Sequence, residues 1–344
     1  MNSHLIPIFS FSLATFLVGL FIIPYFIELL KKYKIGKQIR EEATIGKAIE
    51  FLKLHKVKTG TPTMGGAIIL IIVFVMVIFS IILQKFGFIN NSLFNQKETY
   101  LALFTLLAVG LLGAIDDFLN VRGIGRTKGL SARFKMFWLL VFSGAGAWWF
   151  YDKLEWGTRL LDIPFTGGME IGIYFVPLFI FIIIATANSV NITDGLDGLA
   201  PGLLLFSYGV YAYITYDQGL YLLSTLCVTI IGALIAFLWY NIKPAKVYMG
   251  DVGSLALGAN LGIMAMLTNT ISVLIIVGAI FIFETISVII QLTSKKLRNG
   301  KKVFKIAPFH HHLEAIGWSE ETVVFKLWLV GIVLSAIGLI VYKL

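Results

Sequence analysis

The sequence predicts an all-α membrane protein that crosses the bilayer about ten times. Of its 344 residues, 58% are hydrophobic and only 14% are charged, and the mean hydropathy is +0.88. Ordinary globular domains contain about 25% charged residues, and soluble cores of this size could not bury so much apolar surface. Long apolar stretches recur along the whole chain. We therefore expect one integral membrane domain over residues 1–344, and a soluble enzyme is excluded.

The predicted spans follow one another with short joints, so neighbouring helices should be antiparallel. The first span lacks the cationic start and the small-residue cleavage site of a signal peptide, and we expect it to be retained. Each stretch has the length that a helix needs to cross the hydrocarbon of a bilayer. The spans are 5–30, 64–84, 98–117, 132–151, 172–190, 200–216, 219–240, 253–269, 271–294 and 322–342.

Basic residues are distributed unevenly between the two sets of alternate loops. The segments 31–61, 122–135, 243–246 and 295–326 together hold 23 of the 28 Lys and Arg residues. Because cytoplasmic loops carry the excess of Lys and Arg, both termini are predicted to be extracytoplasmic.

Two of the connecting segments have features of their own. Segment 31–61 mixes charged and apolar residues at helical spacing, which predicts an amphipathic element on the cytoplasmic lipid surface. On the opposite side, the Thr166-Gly167-Gly168 sequence favours a short extracytoplasmic β-hairpin within 157–172.

Acidic and amide side chains cluster at the predicted cytoplasmic ends of three spans. They are Asp116 and Asp117 at the end of the third span, Asn188, Asn191, Asp194 and Asp197 between the fifth and sixth, and Asp251 before the eighth. Ionisable groups beside apolar spans are costly and mark function. Carboxylates that converge need a compensating cation, and oxygen ligands suit Mg²⁺ or Mn²⁺ together with substrate phosphates. For any one aspartate, a role as a helix cap or as the partner of a nearby Lys or Arg stays open.

Three further elements bear on an anionic substrate. Lys58 precedes the Gly-rich turn 60–66, which can present backbone N–H groups to an anion, although a plain helix-entry turn explains it as well. The run from His310 to His312 is interpreted as contacting phosphate and sugar oxygens, since adjacent histidines rarely share one zinc ion. Gln291 lies near the cytoplasmic end of its span and should reach the cavity, whereas the deeper Glu284 has a structural or a catalytic role.

Five motifs resemble those of the polyprenyl-phosphate N-acetylhexosamine-1-phosphate transferases. They are TPTMGG, the Asp116-Asp117 pair, NSVNITDGLDGLA, NIKPAKVYMGDVGSLALG and APFHHHLE. TPTMGG and PFHHHLE resemble the muramoyl-pentapeptide branch in particular, and the resemblance covers essentially the whole chain. It implies a homodimeric ten-helix enzyme of the bacterial cytoplasmic membrane with a cytoplasmic active-site cleft and no nucleic-acid partner.

The resemblance implies a reaction and a set of site residues. The reaction is the transfer of phospho-MurNAc-pentapeptide from UDP-MurNAc-pentapeptide to undecaprenyl phosphate, which yields lipid I and UMP and requires Mg²⁺, for which Mn²⁺ can substitute. The implied metal ligand is Asp251. The implied catalytic residues are Asp116, Asp117, Asp194, Asp251 and His310. The implied substrate-binding residues are Lys58, Thr63, Asn188, Asn191, Ser254, Gln291, His310 and His311, with Gly195, Leu196, Asp197, Asn241 and Tyr248 around the uridine. The family commonly has Phe where this chain has Tyr248, and either ring can stack on a base.

Several alternatives stay open at this point. We expect direct attack by the lipid phosphate, deprotonated or oriented by Asp116 or Asp117, but a two-step route through an aspartyl intermediate is the alternative. A sister-branch enzyme would instead transfer GlcNAc-1-phosphate from UDP-GlcNAc. A polytopic ion-coupled transporter is the alternative outside enzymes, although its charges should lie near mid-span and here the aspartates lie at span ends.

Overall fold

The chain folds almost entirely into helices. The computed structural model describes residues 5–36, 60–124, 129–154, 160–163 and 167–344. Its helices are α1 (Leu5–Lys32), α2 (Gly66–Lys85), α3 (Lys97–Arg122), α4 (Ala132–Lys153), α5 (Phe175–Thr193), α6 (Leu199–Asp217), α7 (Tyr221–Asn241), α8 (Gly250–Leu267), α9 (Ile271–Val277), α10 (Ala279–Leu297), α11 (Phe309–Ala315) and α12 (Glu320–Lys343).

The predicted hairpin between the fourth and fifth spans is present. Strands β1 (Leu160–Ile163) and β2 (Gly167–Glu170) pair antiparallel, with Leu160 opposite Glu170 and Ile163 opposite Gly167. A 3₁₀ turn, Gly172–Tyr174, then leads into α5.

The structure is that of an all-α polytopic membrane protein. Within its described part, seven helices are long and apolar enough to cross a membrane, and the bent pair α9–α10 raises the number to as many as eight. The two remaining predicted spans are helices too, α4 and α6, but they are more polar. Charged residues stand in the first and last turns of α4, and α6 contains four tyrosines and ends at Asp217. Helices therefore occupy all ten predicted positions, while eight spans meet the criteria of length and composition.

The ninth predicted span, 271–294, is not one continuous helix, which corrects the prediction. Helix α9 ends at Val277, α10 begins at Ala279, and the two axes differ by 72°. The break falls at Gly278, whose backbone N–H donates to the Leu274 carbonyl at 2.7 Å. Beyond the break, the buried face of α10 packs against the loop between α10 and α11, as the Gln291 and Ser294 hydrogen bonds to residues 301–304 show.

Helix α8 lies at the centre of the bundle. All of its residues from 252 to 267 are buried, and it packs against α2, α3, α5 and α6. Glycines allow the backbones to touch: a Cβ added to Gly66 would lie 2.2 Å from the Gly253 Cα, and one added to Gly113 would lie 2.4 Å from the Asp251 carbonyl oxygen. Close approach through small residues is the usual basis of helix packing in membranes. Here it fixes the first turn of α8, which carries Asp251.

Candidate active site

Asp116, Lys135 and Asp251 form an ion-pair cluster where α3 ends and where α4 and α8 begin. The Lys135 Nζ lies 3.0 Å from Asp116 Oδ2 and 3.0 Å from Asp251 Oδ2. Asp116 Oδ1 also accepts a hydrogen bond from the Leu130 backbone N–H. One ammonium therefore compensates two carboxylates.

Lys135 is absent from the residues that the sequence predicted for the site. From the sequence it counts only among the basic residues of segment 122–135. The available signal was its position in the first turn of the fourth predicted span, where a charge beside apolar residues is expensive and needs a partner.

Asn191 and Ser254 hold Asp251 from the other side. The Asn191 Nδ2 donates to Asp251 Oδ1 at 2.8 Å and lies 2.9 Å from Ser254 Oγ. The Ser254 hydroxyl in turn donates to the Gly250 carbonyl at 2.8 Å. Both carboxylate oxygens of Asp251 are thus oriented, one by Lys135 and one by Asn191, and the structure brings these predicted residues together.

Asp117 points away from its neighbour and serves α8 instead. Its side chain is buried, and Oδ2 accepts from the Val252 backbone N–H at 3.1 Å. It lies so close to Gly250, where φ is +73°, that a Cβ there would sit 2.4 Å from Asp117 Oδ2. A carboxylate at this place accepts a hydrogen bond from a free N–H of the first helical turn, and the positive end of the helix dipole stabilises its negative charge. The adjacent aspartates therefore have different contacts.

Asp194 and Gly195 form the turn that follows α5, and two histidines pack against it. Asp194 is half-buried and closes the helix, with its backbone N–H donating to the Val190 carbonyl at 3.1 Å. The rings of His310 and His311 stand 4.2 Å apart, and both side chains are buried. His311 Nδ1 lies 2.7 Å from Glu314 Oε2. The turn and the first residues of α11 therefore form one wall of the site.

The residues assigned to the uridine pocket tie that turn to the loop before α8. Asp197 Oδ2 accepts from the Ala245 backbone N–H at 3.0 Å. The Asn241 amide accepts from the Gly198 N–H at 3.0 Å and donates to the Val247 carbonyl at 2.7 Å. Leu196 is buried in the apolar core. The Tyr248 backbone N–H donates to the Pro62 carbonyl at 2.8 Å, which brings the TPTMGG turn to the same loop.

A buried carboxylate that sequence reasoning missed completes this tie. Glu320 Oε1 accepts from the Asp197 backbone N–H at 2.9 Å, and Oε2 lies 3.4 Å from Lys243 Nζ. Lys243 also pairs with Glu321 at 3.0 Å. The start of α12 is thereby fastened to the turn after α5, a contact that no local sequence pattern indicates.

The other predicted substrate-binding residues have separate places. Gln291 fastens the loop between α10 and α11, since its Oε1 accepts from the N–H groups of Val303 and Phe304, each at 3.0 Å. The Asn188 amide donates to its own helix, at the Ile184 carbonyl. Thr63 is buried, and its backbone N–H donates to the Ile35 carbonyl at 3.2 Å. Lys58 and most of the amphipathic segment 31–61 lie outside the described residues.

The donor set of the ion-pair cluster fits a magnesium ion that is shared with a substrate. Among the described residues, no group of three His, Cys, Asp or Glu side chains is arranged to hold a metal. Asp116 and Asp251 nevertheless converge on one cation position, the one that the Lys135 ammonium takes at 3.0 Å from each. Mg²⁺ is commonly bound by one or two carboxylates, with phosphate and water oxygens filling its octahedron. The two aspartates therefore suit Mg²⁺ in the presence of a phosphorylated substrate.

The fold and this site define the class as a membrane-embedded transferase. Residues 99–269, which run from α3 to α8 and include the acidic cluster, match the family described as Glycosyl transferase family 4. Curated relatives named phospho-N-acetylmuramoyl-pentapeptide-transferase match almost the whole chain. That of Geobacillus sp. (strain WCH70) is 40% identical over 94% of each chain. That of Clostridium novyi (strain NT) is 40% identical over 95% of this chain and 94% of its own, and that of Bacillus subtilis (strain 168) is 37% identical over 94% of each.

The chain belongs to the phospho-N-acetylmuramoyl-pentapeptide-transferase family, and it is an enzyme. The resemblance that the five motifs predicted is confirmed, including the muramoyl-pentapeptide branch.

Proposed function

We propose that the enzyme transfers phospho-MurNAc-pentapeptide from UDP-MurNAc-pentapeptide to undecaprenyl phosphate, releasing UMP and forming lipid I. The observation that carries this proposal is the convergence of Asp116 and Asp251 on one cation position, in a chain 40% identical to relatives named for this transfer. Two carboxylates that share a cation suit a reaction that brings together a diphosphate and a phosphate monoester. An acceptor that is itself a lipid also explains why the catalyst is embedded in the membrane.

Ten membrane crossings, with both termini outside the cytoplasm, are part of the proposal. Contacts between helix ends support it. Asp116, near the end of α3, pairs with Lys135, and Asn191, near the end of α5, bonds Asp251. The ends of α3 and α5 therefore lie at the same face of the bundle, so α4 has to cross the bundle between them. Likewise Asn241 at the end of α7 bonds Gly198 at the start of α6, so α6 has to run the full thickness as well. With 23 of 28 basic residues on the side of the acidic cluster, the active site faces the cytoplasm of a bacterial inner membrane.

Asp251 and Asp116 would hold Mg²⁺, or Mn²⁺ in its place. In that place the ion would supply positive charge to the diphosphate, which would make UMP a better leaving group. The protein's own residues supply orientation. Asn191 keeps Oδ1 of Asp251 fixed. The Lys135 ammonium, which takes the cation position in this structure, would yield it to the ion and pair with a phosphate oxygen, where its charge favours the developing negative charge.

Asp116 is the residue that orients the acceptor phosphate in this mechanism. Asp117 is less suited, because its carboxylate is engaged by the backbone of α8. Phosphoryl transfer depends mainly on in-line positioning and charge stabilisation, so a direct attack requires no covalent intermediate on the protein. A homodimer is a further part of the proposal, and light scattering of the detergent-solubilised enzyme tests it.

The decisive assay is Mg²⁺-dependent release of UMP by purified enzyme with undecaprenyl phosphate. We expect turnover of UDP-MurNAc-pentapeptide and a loss of at least about 100-fold in Asp251→Ala, the size of effect seen when one transition-state electrostatic contact is removed. Asp217→Asn is the matched control, because Asp217 pairs with Lys343 at the opposite end of the bundle and should leave the rate unchanged.

Three results would contradict the proposal. Turnover of UDP-GlcNAc alone would point to the sister-branch reaction, and altered ion uptake with intact UMP release in Asp251→Ala would point to a transporter. A labelled phospho-sugar trapped on the protein without lipid acceptor would replace direct attack by the two-step route.

A further inference from the structure

The loop between α10 and α11 carries a dense group of cations. Six of the eleven residues from 295 to 305 are Lys or Arg, and no Asp or Glu occurs between Glu284 and Glu314. Within the described part of the chain, no carboxylate pairs with four exposed members of this group, which are called the loop cations: Lys296, Arg298, Lys301 and Lys302. Their charge is therefore available to an anion outside the described residues.

The loop that carries these cations is held in one shape by the buried face of α10. The Gln291 Nε2 donates to the Phe304 carbonyl at 2.8 Å, and the Ser294 hydroxyl donates to the Lys301 carbonyl at 2.9 Å. At the tip of the loop, Asn299 and Gly300 have left-handed backbone, with φ of +50° and +86°. An ordered loop loses less conformational entropy when a ligand binds to it, so the cations are presented from a prepared surface.

Lys305, at the end of the loop, has a different role. Its ammonium donates to the Ala315 carbonyl at 3.2 Å, at the last turn of α11, and its backbone N–H donates to His312 Nδ1 at 3.2 Å. A cation is favourable beside the free carbonyls at the end of a helix. The loop is thereby fastened to the helix whose first residues, His310 and His311, form the wall of the site.

The outer face of α10 connects the loop cations with the lipid. Its buried face is polar, whereas exposed apolar side chains recur at helical spacing on the outside and end beside the cations: Phe283, Ile286, Ile290 and Leu297. Leu297 is 74% exposed, and Val303, which follows the last loop cation, is 50% exposed. In a helix that crosses a membrane, an exposed apolar face contacts hydrocarbon. The level at which it gives way to cations is that of the lipid headgroups.

We propose that the loop cations bind the phosphate groups of anionic phospholipids, while Leu297 and Val303 enter the boundary between headgroups and acyl chains. A group of Lys and Arg at the end of a membrane-spanning helix attracts anionic headgroups. A phospholipid is the occupant that supplies both the negative charge and the hydrocarbon, and the apolar face of α10 leads from the bilayer directly to the cations. The inference uses neither the donor nor the metal, so it stands apart from the proposed reaction.

Bound headgroups would also fix the height of the active site. The loop holds the end of α11 through Lys305 and is itself held by Gln291. Lipid phosphates on its outer side would therefore keep the wall formed by His310 and His311 level with the membrane surface, where the phosphate of a lipid acceptor lies.

Fluorescence quenching in nanodiscs tests the surface directly. Thr293→Cys places a fluorophore on the exposed side of α10, one turn before Leu297, and the native Cys227 is buried. The discs consist of phosphatidylcholine with a small fraction of nitroxide-labelled phosphatidylglycerol or nitroxide-labelled phosphatidylcholine. At low salt we expect about fivefold enrichment of labelled phosphatidylglycerol near the probe, the fold-change for one headgroup–cation contact. High salt should reduce the enrichment.

Replacing all four loop cations by Gln should abolish the preference for phosphatidylglycerol. The matched control removes the same charge from exposed cations at the end of α1 and the start of α4: Lys31→Gln, Lys32→Gln, Lys34→Gln and Arg133→Gln. The control should keep the preference within about twofold. Thermal unfolding and UMP release in detergent should match wild type in both variants. An equal loss of preference in the two variants would assign the effect to overall charge and overturn the proposal.

Wild-type protein alone can also overturn the proposal. Equal quenching by the two labelled lipids would mean that the loop cations bind no phospholipid, and this result decides even if the fourfold variant does not fold. Displacement of labelled phosphatidylglycerol by an equimolar amount of undecaprenyl phosphate would assign the cations to the acceptor instead. A protein that shows the lipid preference but turns over no UDP-linked donor would contradict the proposed function and leave this surface in place.

Discussion

Lys135 supplies the positive charge that the acidic residues of the site require. Its Nζ bridges Asp116 and Asp251 at 3.0 Å each, in a setting of apolar helix ends where unpaired charges are costly. The aspartates and Asn191 could be predicted from sequence, because they stand out at the ends of apolar spans. Their partners could not. Lys135 is separated from Asp251 by 116 residues and Glu320 from the Asp197 N–H by 123, so only the folded chain joins them.

Replacement of Lys135 is expected to abolish turnover with little change in the fold. Lys135→Met keeps the aliphatic length but leaves two carboxylates facing each other and removes the cation from the phosphate site. UMP release should fall at least about 100-fold.

Arg133→Met provides the matched control for Lys135, because Arg133 is an exposed cation on the same helix and its loss should leave the rate unchanged. Thermal unfolding of both variants in detergent checks the fold. A Lys135→Met enzyme with wild-type turnover would remove Lys135 from the mechanism.

At the scale of elements, the helices were predictable and their internal geometry was not. Apolar runs of sufficient length located a helix at every predicted position, because a bilayer imposes helix on such a run. The 72° break between α9 and α10 escaped prediction, because the run 271–294 has no proline and residues 273–283 on either side of Gly278 carry no polar side chain. Tertiary contacts accompany the bend, chiefly the hydrogen bonds that the Gln291 side chain accepts from the backbone of Val303 and Phe304.

The closeness of α3 to α8 gives a prediction at this scale. In Gly113→Ala the new Cβ would lie 2.4 Å from the Asp251 carbonyl oxygen, so the two helices have to separate and Asp251 has to move. We expect a loss of stability of about 1–3 kcal/mol, as for other overpacked cores, together with a fall in UMP release.

Gly209→Ala on α6 is the control for Gly113→Ala. A Cβ there meets nothing within 4 Å, so the variant should gain up to about 1 kcal/mol from its better helix propensity and keep its activity. Thermal unfolding and the UMP assay measure both effects. Equal behaviour of the two variants would show that the helix contact does not position Asp251.

For the whole molecule, the orientation in the membrane is the property that the distribution of basic residues indicates most directly. The imbalance of basic residues and the contacts between helix ends lead to the same arrangement, although they are independent observations. In the proposed arrangement, the acidic site and the wall formed by His310 and His311 would lie on the same face of the membrane as the segments that carry most of the basic residues.

Cysteine labelling tests this arrangement. The only native cysteine, Cys227, is buried and should remain silent. In intact cells, a membrane-impermeant maleimide should label Leu344→Cys at the exposed C-terminus but not Lys302→Cys in the exposed last loop. Both should react after permeabilisation. Labelling of Lys302→Cys in intact cells would place the active site on the outer face.

The central position of α8 also constrains how the enzyme comes into being. The groups that meet at its first turn are far apart along the chain: 135 residues separate Asp117 from Val252, and 60 separate Asn191 from Asp251. As the polypeptide emerges from the ribosome, Asp117 and Asn191 are therefore made long before their partners in α8. A shortened product that stops before residue 250 lacks α8 and cannot assemble the site. Incomplete synthesis should therefore yield inactive protein.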